Sequence, residues 1–150
     1  MKILKTLLTL VLSIGLFACG SVNGEKVPYK IKDAFQKKFP TATSINWDKE
    51  SNTEWEAEFK MNKLRYSANF LEDGTWKETE HEISKKEIPQ NIKNVLMAEF
   101  LGYEIEEAEI SETKDGVFFE FEIEKNKFKM EVVIDENANI INNNTDKEKD

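Results

Sequence analysis

Carboxylates dominate the chemistry that this 150-residue chain could do. Glu54, Glu56 and Glu58 alternate with Trp55, Ala57 and Phe59, and Glu120, Glu122 and Glu124 alternate with Phe119, Phe121 and Ile123. Successive strand residues point to opposite sides, so each acidic trio lies on one sheet face. Paired carboxylates can act as acid and base in glycoside hydrolysis, but one of them must then be raised in pKa by a closed site. An open sheet face is expected to lack that enclosure. Bases on following strands, at Arg65, Lys127 and Lys129, offer ordinary cross-strand ion pairing. Three readings stay open for the acids: a solvated face, a protein-binding face, or a site for a divalent cation or small ligand. Calcium takes oxygen ligands, but no twelve-residue loop with EF-hand spacing occurs.

Other catalytic kit is missing from the sequence. The one histidine, His81, sits in Glu78-Thr79-Glu80-His81-Glu82. Histidine is the commonest general base, yet no Gly-x-Ser-x-Gly elbow, phosphate-cradling glycine loop or His-Glu-x-x-His accompanies it. His81 and its flanking acids could touch zinc, but residues adjacent on a strand end cannot all converge, so solvated charge is the expectation. The sequence therefore implies no enzyme and no cofactor, and assigns no residues to a metal beyond the open cation reading of the acids.

Cys19 is the one cysteine. Lys2 and Lys5 precede an apolar run over 7–18, a length suited to a signal-peptide core and short of the roughly 20 residues of a spanning helix. Leu16-Phe17-Ala18-Cys19 resembles the lipobox of bacterial lipoproteins, which implies cleavage before Cys19 and its acylation. We expect a signal peptide over 1–18, a linker over 19–26, and a protein held in the cell envelope by its lipid. Gly20 in place of an aspartate favours the outer membrane, facing the periplasm, with surface exposure left open. Removing Lys2 and Lys5 from 21 basic residues leaves 19 against 29 acidic ones, a formal charge of −10. That excess opposes binding to nucleic acid and electrostatic docking on anionic lipid. With Cys19 acylated, no thiol is left for a disulfide.

The elements that must hold these acids come in two copies. Val27-Pro28-x-x-Ile31-Lys32 recurs 61 residues later as Ile88-Pro89-x-x-Ile92-Lys93. At an offset of 64, Trp55-Glu56-Ala57-Glu58-Phe59 matches Phe119-Glu120-Phe121-Glu122-Ile123, and Asn62-Lys63 matches Asn126-Lys127. Each copy opens with a helix whose first turn holds the proline, with apolar stripes Ile31, Ala34, Phe35, Phe39 and Ile92, Val95, Leu96, Phe100. Four strands follow. The first spans about 44–49, with Ile45 and Trp47 inward, and its counterpart spans 107–113, with Ala108 and Ile110 inward. Hairpins at Asn62-Lys63 and Asn126-Lys127 and turns at Asp73-Gly74 and Asn137-Ala138-Asn139 separate the rest. Trp47, Trp55 and Trp76 all keep the apolar phase and belong in a core. The fold class is α+β: a tandem duplication of a helix plus four-stranded antiparallel sheet, with repeats at 27–87 and 88–142 and a frayed polar tail at 143–150.

Val-Pro-x-x-Ile-Lys-x-Ala-Phe-x-Lys-Lys-Phe-Pro at 27–40, Trp47-x-Lys-Glu, Trp55-Glu-Ala-Glu-Phe and Asp73-Gly-Thr-Trp-Lys-Glu-Thr-Glu together resemble the PepSY-like, beta-lactamase-inhibitor-like proteins of Bacteroidota envelopes. The resemblance runs from about 27 to 142. It implies a tandem fold like that of beta-lactamase inhibitory protein, with the sheet free to face a partner, and it assigns no activity. Ala138 stands where the first repeat has Gly74, and the inhibitor's disulfides have no cysteines here. By analogy with PepSY propeptide domains, inhibition or chaperoning of a secreted hydrolase is a weaker alternative. Charge divides unevenly: residues 27–87 hold 11 bases and 12 acids, and residues 88–142 hold 5 bases and 13 acids. Such a field can steer a basic protein partner. The expected contact residues are Glu120, Glu122, Glu124 and Glu131, with Arg65 from the first repeat.

Overall fold

The computed structural model describes residues 26–145. The expected signal peptide over 1–18, Cys19, almost all of the expected linker and residues 146–150 of the expected tail lie outside the described residues. Helix α1 spans Tyr29–Lys38 and α2 spans Gln90–Glu99. Pro28 and Pro89 sit one place earlier than expected, as helix N-caps with extended backbones (φ −56°, ψ 143° and φ −58°, ψ 147°). The Pro28 carbonyl accepts from Ile31 and Lys32 N–H at 3.1 and 3.3 Å, and the Pro89 carbonyl from Lys93 N–H at 3.0 Å. A proline has no N–H to leave unpaired at that point, so it suits the position just outside the helix. Both helices close alike, with Phe39 N–H donating to the Phe35 carbonyl and Phe100 N–H to that of Leu96.

The eight strands are β1 (Thr43–Lys49), β2 (Glu54–Met61), β3 (Leu64–Leu71), β4 (Trp76–Glu82), β5 (Glu104–Thr113), β6 (Gly116–Lys125), β7 (Phe128–Asp135) and β8 (Ile140–Thr145). They form one antiparallel sheet in chain order, β1 to β8. The two sets of four strands join where β4 pairs with β5, from Glu78 opposite Thr113 to Glu82 opposite Glu109. Two-residue turns close the β2–β3 and β6–β7 hairpins. Asn62 and Lys63 have φ of 53° and 70°, Asn126 and Lys127 of 50° and 70°. Positive φ at both positions matches the right-handed twist of the strands, and asparagine accepts it at little cost.

Each helix covers the same side of its own half of the sheet. Ile31 and Phe35 of α1, with Phe39, pack on Trp55, Ala57, Phe59, Ala68 and Phe70. Ile92 and Leu96 of α2 pack on Ala108, Phe119, Phe121, Ile123, Val132 and Ile134. Fully burying a side chain such as Phe70 or Ile31 stabilises the fold by about 1.5–3 kcal/mol. Large and small residues trade places between the halves. Trp47 pairs with Ala57, whereas Ala108 pairs with Phe121. A pair of fixed total bulk fills the space under each helix, whichever strand carries the ring.

Three expectations change. Ile45 is 37% exposed and does not face the core. The β1–β2 register shifts between Thr43 and Asn46, and Ser44 has φ of 54°, so a bulge turns Ile45 outward while Trp47 stays inward. Strand β5 begins at Glu104, with a bulge between Ile105 and Glu107. The tail expected to fray from 143 instead continues β8 to Thr145, which pairs with Met130. Backbone pairing to β7 satisfies that segment without apolar side chains.

Carboxylates on the open face of the sheet

With both helices on one side, the other side of the sheet is left to the residues that alternate with the core. Direct cross-strand pairing defines which side chains stand together there. Glu58 faces Ser67, Ser67 faces Glu80, and Glu80 faces Ser111. In the neighbouring rows Glu56 faces Asn69 and Asn69 faces Glu78, while Glu82 faces Glu109 and Glu109 faces Glu120. Glu107 faces Glu122, which faces Glu131. Phe118 and Val133, opposite Ser111 and Glu120, project from this same side and wall the acids in.

The middle of this face is buried although no helix lies over it. Glu80 is 7% exposed and Ser111 is 1% exposed. Strands stand about 4.8 Å apart, so long side chains on adjacent strands desolvate one another. That burial drives the Glu80 carboxyl up to about 8, with the charges of Glu78, Glu120, Glu109 and Glu56 adding to it. Burial likewise raises Glu56 to about 7, helped by Glu50, Glu58 and Asp48, and Glu109 to about 6, helped by Glu120, Glu107 and Glu82. Glu78 and Glu120 are raised for the same first reason. Ser67 Oγ donates to Glu80 Oε2 at 3.5 Å. The Ser111 hydroxyl is near enough to Glu120 to favour its ionised form, yet Ser111 Oγ and Glu78 Oε1 are buried without a partner in hydrogen-bond geometry.

Two sequence expectations are corrected by this arrangement. An open sheet face does supply enclosure, because its own side chains crowd the centre. Cross-strand ion pairing holds toward the margins, where Lys77 Nζ lies 3.0 Å from Glu54 Oε1 and Lys129 pairs with Glu122. In the centre, acid meets acid, hydroxyl or amide. His81 also differs from the solvated charge expected of it. It pairs with Ile110 on the helix-covered side, its ring 4.9 Å from that of Tyr66, and burial lowers its pKa.

Of the residues expected to form a binding face, Glu120, Glu122 and Glu131 stand together, and Glu124 follows them along β6 opposite Glu104 and Lys129. Arg65 is on the same face but three strands away from β6, paired with Lys60 near the β2–β3 turn. Sequence reasoning passed over Glu78, Glu80, Glu109 and Ser111. The alternation Glu78-x-Glu80-x-Glu82 was a signal for the face, but which strand lies beside β4 is not written in that segment. A hollow of about 260 Å³ at the end of α2, lined by Leu96, Phe100, Leu101, Tyr103 and Ile123, is mainly apolar.

A family profile described as "Putative beta-lactamase-inhibitor-like, PepSY-like" matches residues 53–142. Among solved structures, a BLIP-like protein from Bacteroides fragilis NCTC 9343 superposes with a TM-score of 0.75 at 20% identity, covering 85% of this chain and 92% of that one. A DUF2874 family protein from Bacteroides uniformis ATCC 8492 gives 0.74 at 18% identity, covering 80% and 90%. A structure described as "putative periplasmic proteins" from Bacteroides eggerthii DSM 20697 gives 0.72 at 18% identity, covering 81% and 90%. These likenesses establish a shared fold. No curated protein matches the chain.

Proposed function

The chain belongs to the PepSY-like, beta-lactamase-inhibitor-like family, and from that footing we propose that it is a non-enzymatic, lipid-anchored envelope protein that binds another protein through its open sheet face. The observation that carries this reading is the sheet itself: eight strands present one side to solvent, and that side concentrates carboxylates. A surface of one charge sign suits a partner of the other and speeds encounter with it. The lipobox-like run ending at Cys19 supports anchoring at the outer membrane, facing the periplasm, and the Bacteroides eggerthii neighbour's description agrees with that compartment. Among the described residues no helix is long and apolar enough to cross a membrane.

The tandem duplication is part of the same reading. Trp55–Phe70, Ala57–Ala68 and Phe59–Tyr66 pair in β2–β3, and Phe119–Ile134, Phe121–Val132 and Ile123–Met130 pair in β6–β7, each residue displaced by 64. The register shift at Asn69/Phe70 returns at Val133/Ile134 with the same displacement. The alternative is a divalent-cation or small-ligand binder using the same carboxylates; among the described residues no three His, Cys, Asp or Glu side chains are grouped to hold a metal, and calorimetric titration with calcium and zinc tests that alternative.

Crosslinking from the native envelope tests the binding face. The comparison is with a variant carrying Arg65→Glu, Glu120→Lys, Glu122→Lys, Glu124→Lys and Glu131→Lys. A partner captured by the unaltered chain and lost in the variant, at an unchanged melting temperature, supports the face. Equal capture by both rejects it.

A further inference from the structure

We propose that the centre of the open face is a seat for the guanidinium of an arginine on the partner protein, held by Glu80, Glu109 and Glu120 above the Ser111 hydroxyl. This inference rests on the protein-binding reading of the same face. Its first observation is the register that sets these carboxyls on three adjacent strands, with Glu80 opposite Ser111 and Glu109 opposite Glu120. The second, independent observation is Ser111. Its side chain is 1% exposed and its oxygen has no partner in hydrogen-bond geometry, although it lies near the Glu120 carboxyl inside the acidic cluster. Leaving a buried hydroxyl oxygen unpaired is unfavourable, and an incoming donor relieves it.

Guanidinium fits this place better than ammonium does. It is planar, more weakly hydrated, and carries five donors in a fixed fork that can reach carboxylates on neighbouring strands at once. Its donors can also reach the Ser111 oxygen, and its flat face can lie against Phe118, which pairs with Ser111 on β6. Glu80 is faced by Ser67 from β3, Glu56 from β2, Glu78 on its own strand, Glu109 from β5 and Glu120 from β6. Glu109 is faced by Glu82, Glu107 and Glu120, and Glu120 by Glu78, Ser111 and Glu131. Every titratable group in these sets is a carboxylic acid. Without a cation, the set relieves its repulsion by keeping protons. A seated guanidinium favours the ionised forms, so each carboxylic acid it pairs with gives its proton to solvent. The partner's arginine is thus exchanged for protons, and the grip tightens as pH rises.

The test is carbon-13 NMR of the glutamate carboxyls in the full-length chain in non-ionic detergent, titrated with acetyl-Gly-Arg-Gly-amide. The neutral citrulline peptide and the lysine peptide serve as comparisons. With the arginine peptide, the Glu80 titration should move from about 8 to below 7, and affinity should rise about tenfold or more between mildly acidic and mildly alkaline pH, by linkage. The citrulline peptide should move nothing, and Glu80→Gln, which keeps the neutral shape, should cut the pH dependence to less than about threefold. Unmoved carboxyl titrations with the arginine peptide overturn the seat, and an equal response to lysine overturns its assignment to guanidinium. A partner lost from the five-charge variant while these titrations stay unmoved keeps the face and rejects the seat. Equal capture together with unmoved titrations rejects both.

Discussion

Glu80 lies directly across from Ser111 where β4 pairs with β5, the seam that makes one sheet of two four-stranded halves. The most buried carboxyl of the open face therefore sits at the junction on which the sheet's continuity depends. Its protonation and the strength of that seam are tied together.

Stability should fall as pH rises from mildly acid to mildly alkaline. Glu80, Glu56 and Glu109 have folded-state values raised to about 8, 7 and 6, above their ordinary 4.5. Between those limits the folded chain holds more protons than the unfolded one, so stability is full below the ordinary carboxylate value and is lost as pH passes through 6, 7 and 8. Glu80 alone should account for about 2–4 kcal/mol of that loss. Urea unfolding at about pH 5.5 and about pH 8.5 measures it. Equal or greater stability at the higher pH contradicts the buried acidic centre.

Replacing Glu80 by Gln should separate the charge from the shape. The amide resembles the protonated acid and cannot ionise. At about pH 4, below the ordinary carboxylate value, the variant should match the unaltered chain within about 0.5 kcal/mol, and at about pH 8.5 it should be more stable by about 2–4 kcal/mol. A variant equally destabilised at both pH values would show that the amide breaks packing or hydrogen bonding that the acid makes.

The first-half core should be most sensitive at Phe35. Its ring lies 5.0 Å from Phe59, 5.2 Å from Phe39 and Trp47, and 6.1 Å from Phe70. Phe35→Ala should cost about 3–5 kcal/mol. A double-mutant cycle with Phe59→Leu should give a coupling of about 0.5–1.5 kcal/mol, from the edge-to-face contact between the two rings. Additive losses would show that the rings contribute area and no specific contact.

Local patterns made the helices, hairpins and core phase legible. Trp55, Ala57 and Phe59 alternate with acids on a half-buried strand, and Ile31, Phe35 and Phe39 follow a helical stripe, so each pattern states its own geometry. The seam was not legible. β4 and β5 are separated in sequence by α2, and no residue in either strand names the other as its neighbour. The acidic centre was missed for that reason, since Glu80 becomes buried through Glu109 and Glu120 on strands beyond the seam. Ser111 carried no signal because a serine suits a strand face or a turn equally. Ile45 was misplaced because alternation was carried through a bulge, which shifts phase by one residue.

The equivalent turns at Gly74 and Ala138 should respond unequally to exchange. Gly74 has φ of +91°, and a Cβ there would stand 2.9 Å from the Lys30 carbonyl oxygen, which belongs to α1 and cannot swing aside. Gly74→Ala should therefore cost about 2–4 kcal/mol, combining left-handed backbone strain with displacement of the helix. Ala138 already tolerates φ of +65°, and its methyl packs against the second core. Ala138→Gly relieves about 1 kcal/mol of backbone strain but gives up most of one buried methyl, about 0.8 kcal/mol, so its net change should stay within about 1 kcal/mol of zero. Urea midpoints of the two variants decide the matter. Similar losses would mean that the approach of α1 to the Gly74 turn does not set the requirement for glycine, and that both turns tolerate a side chain on the same terms.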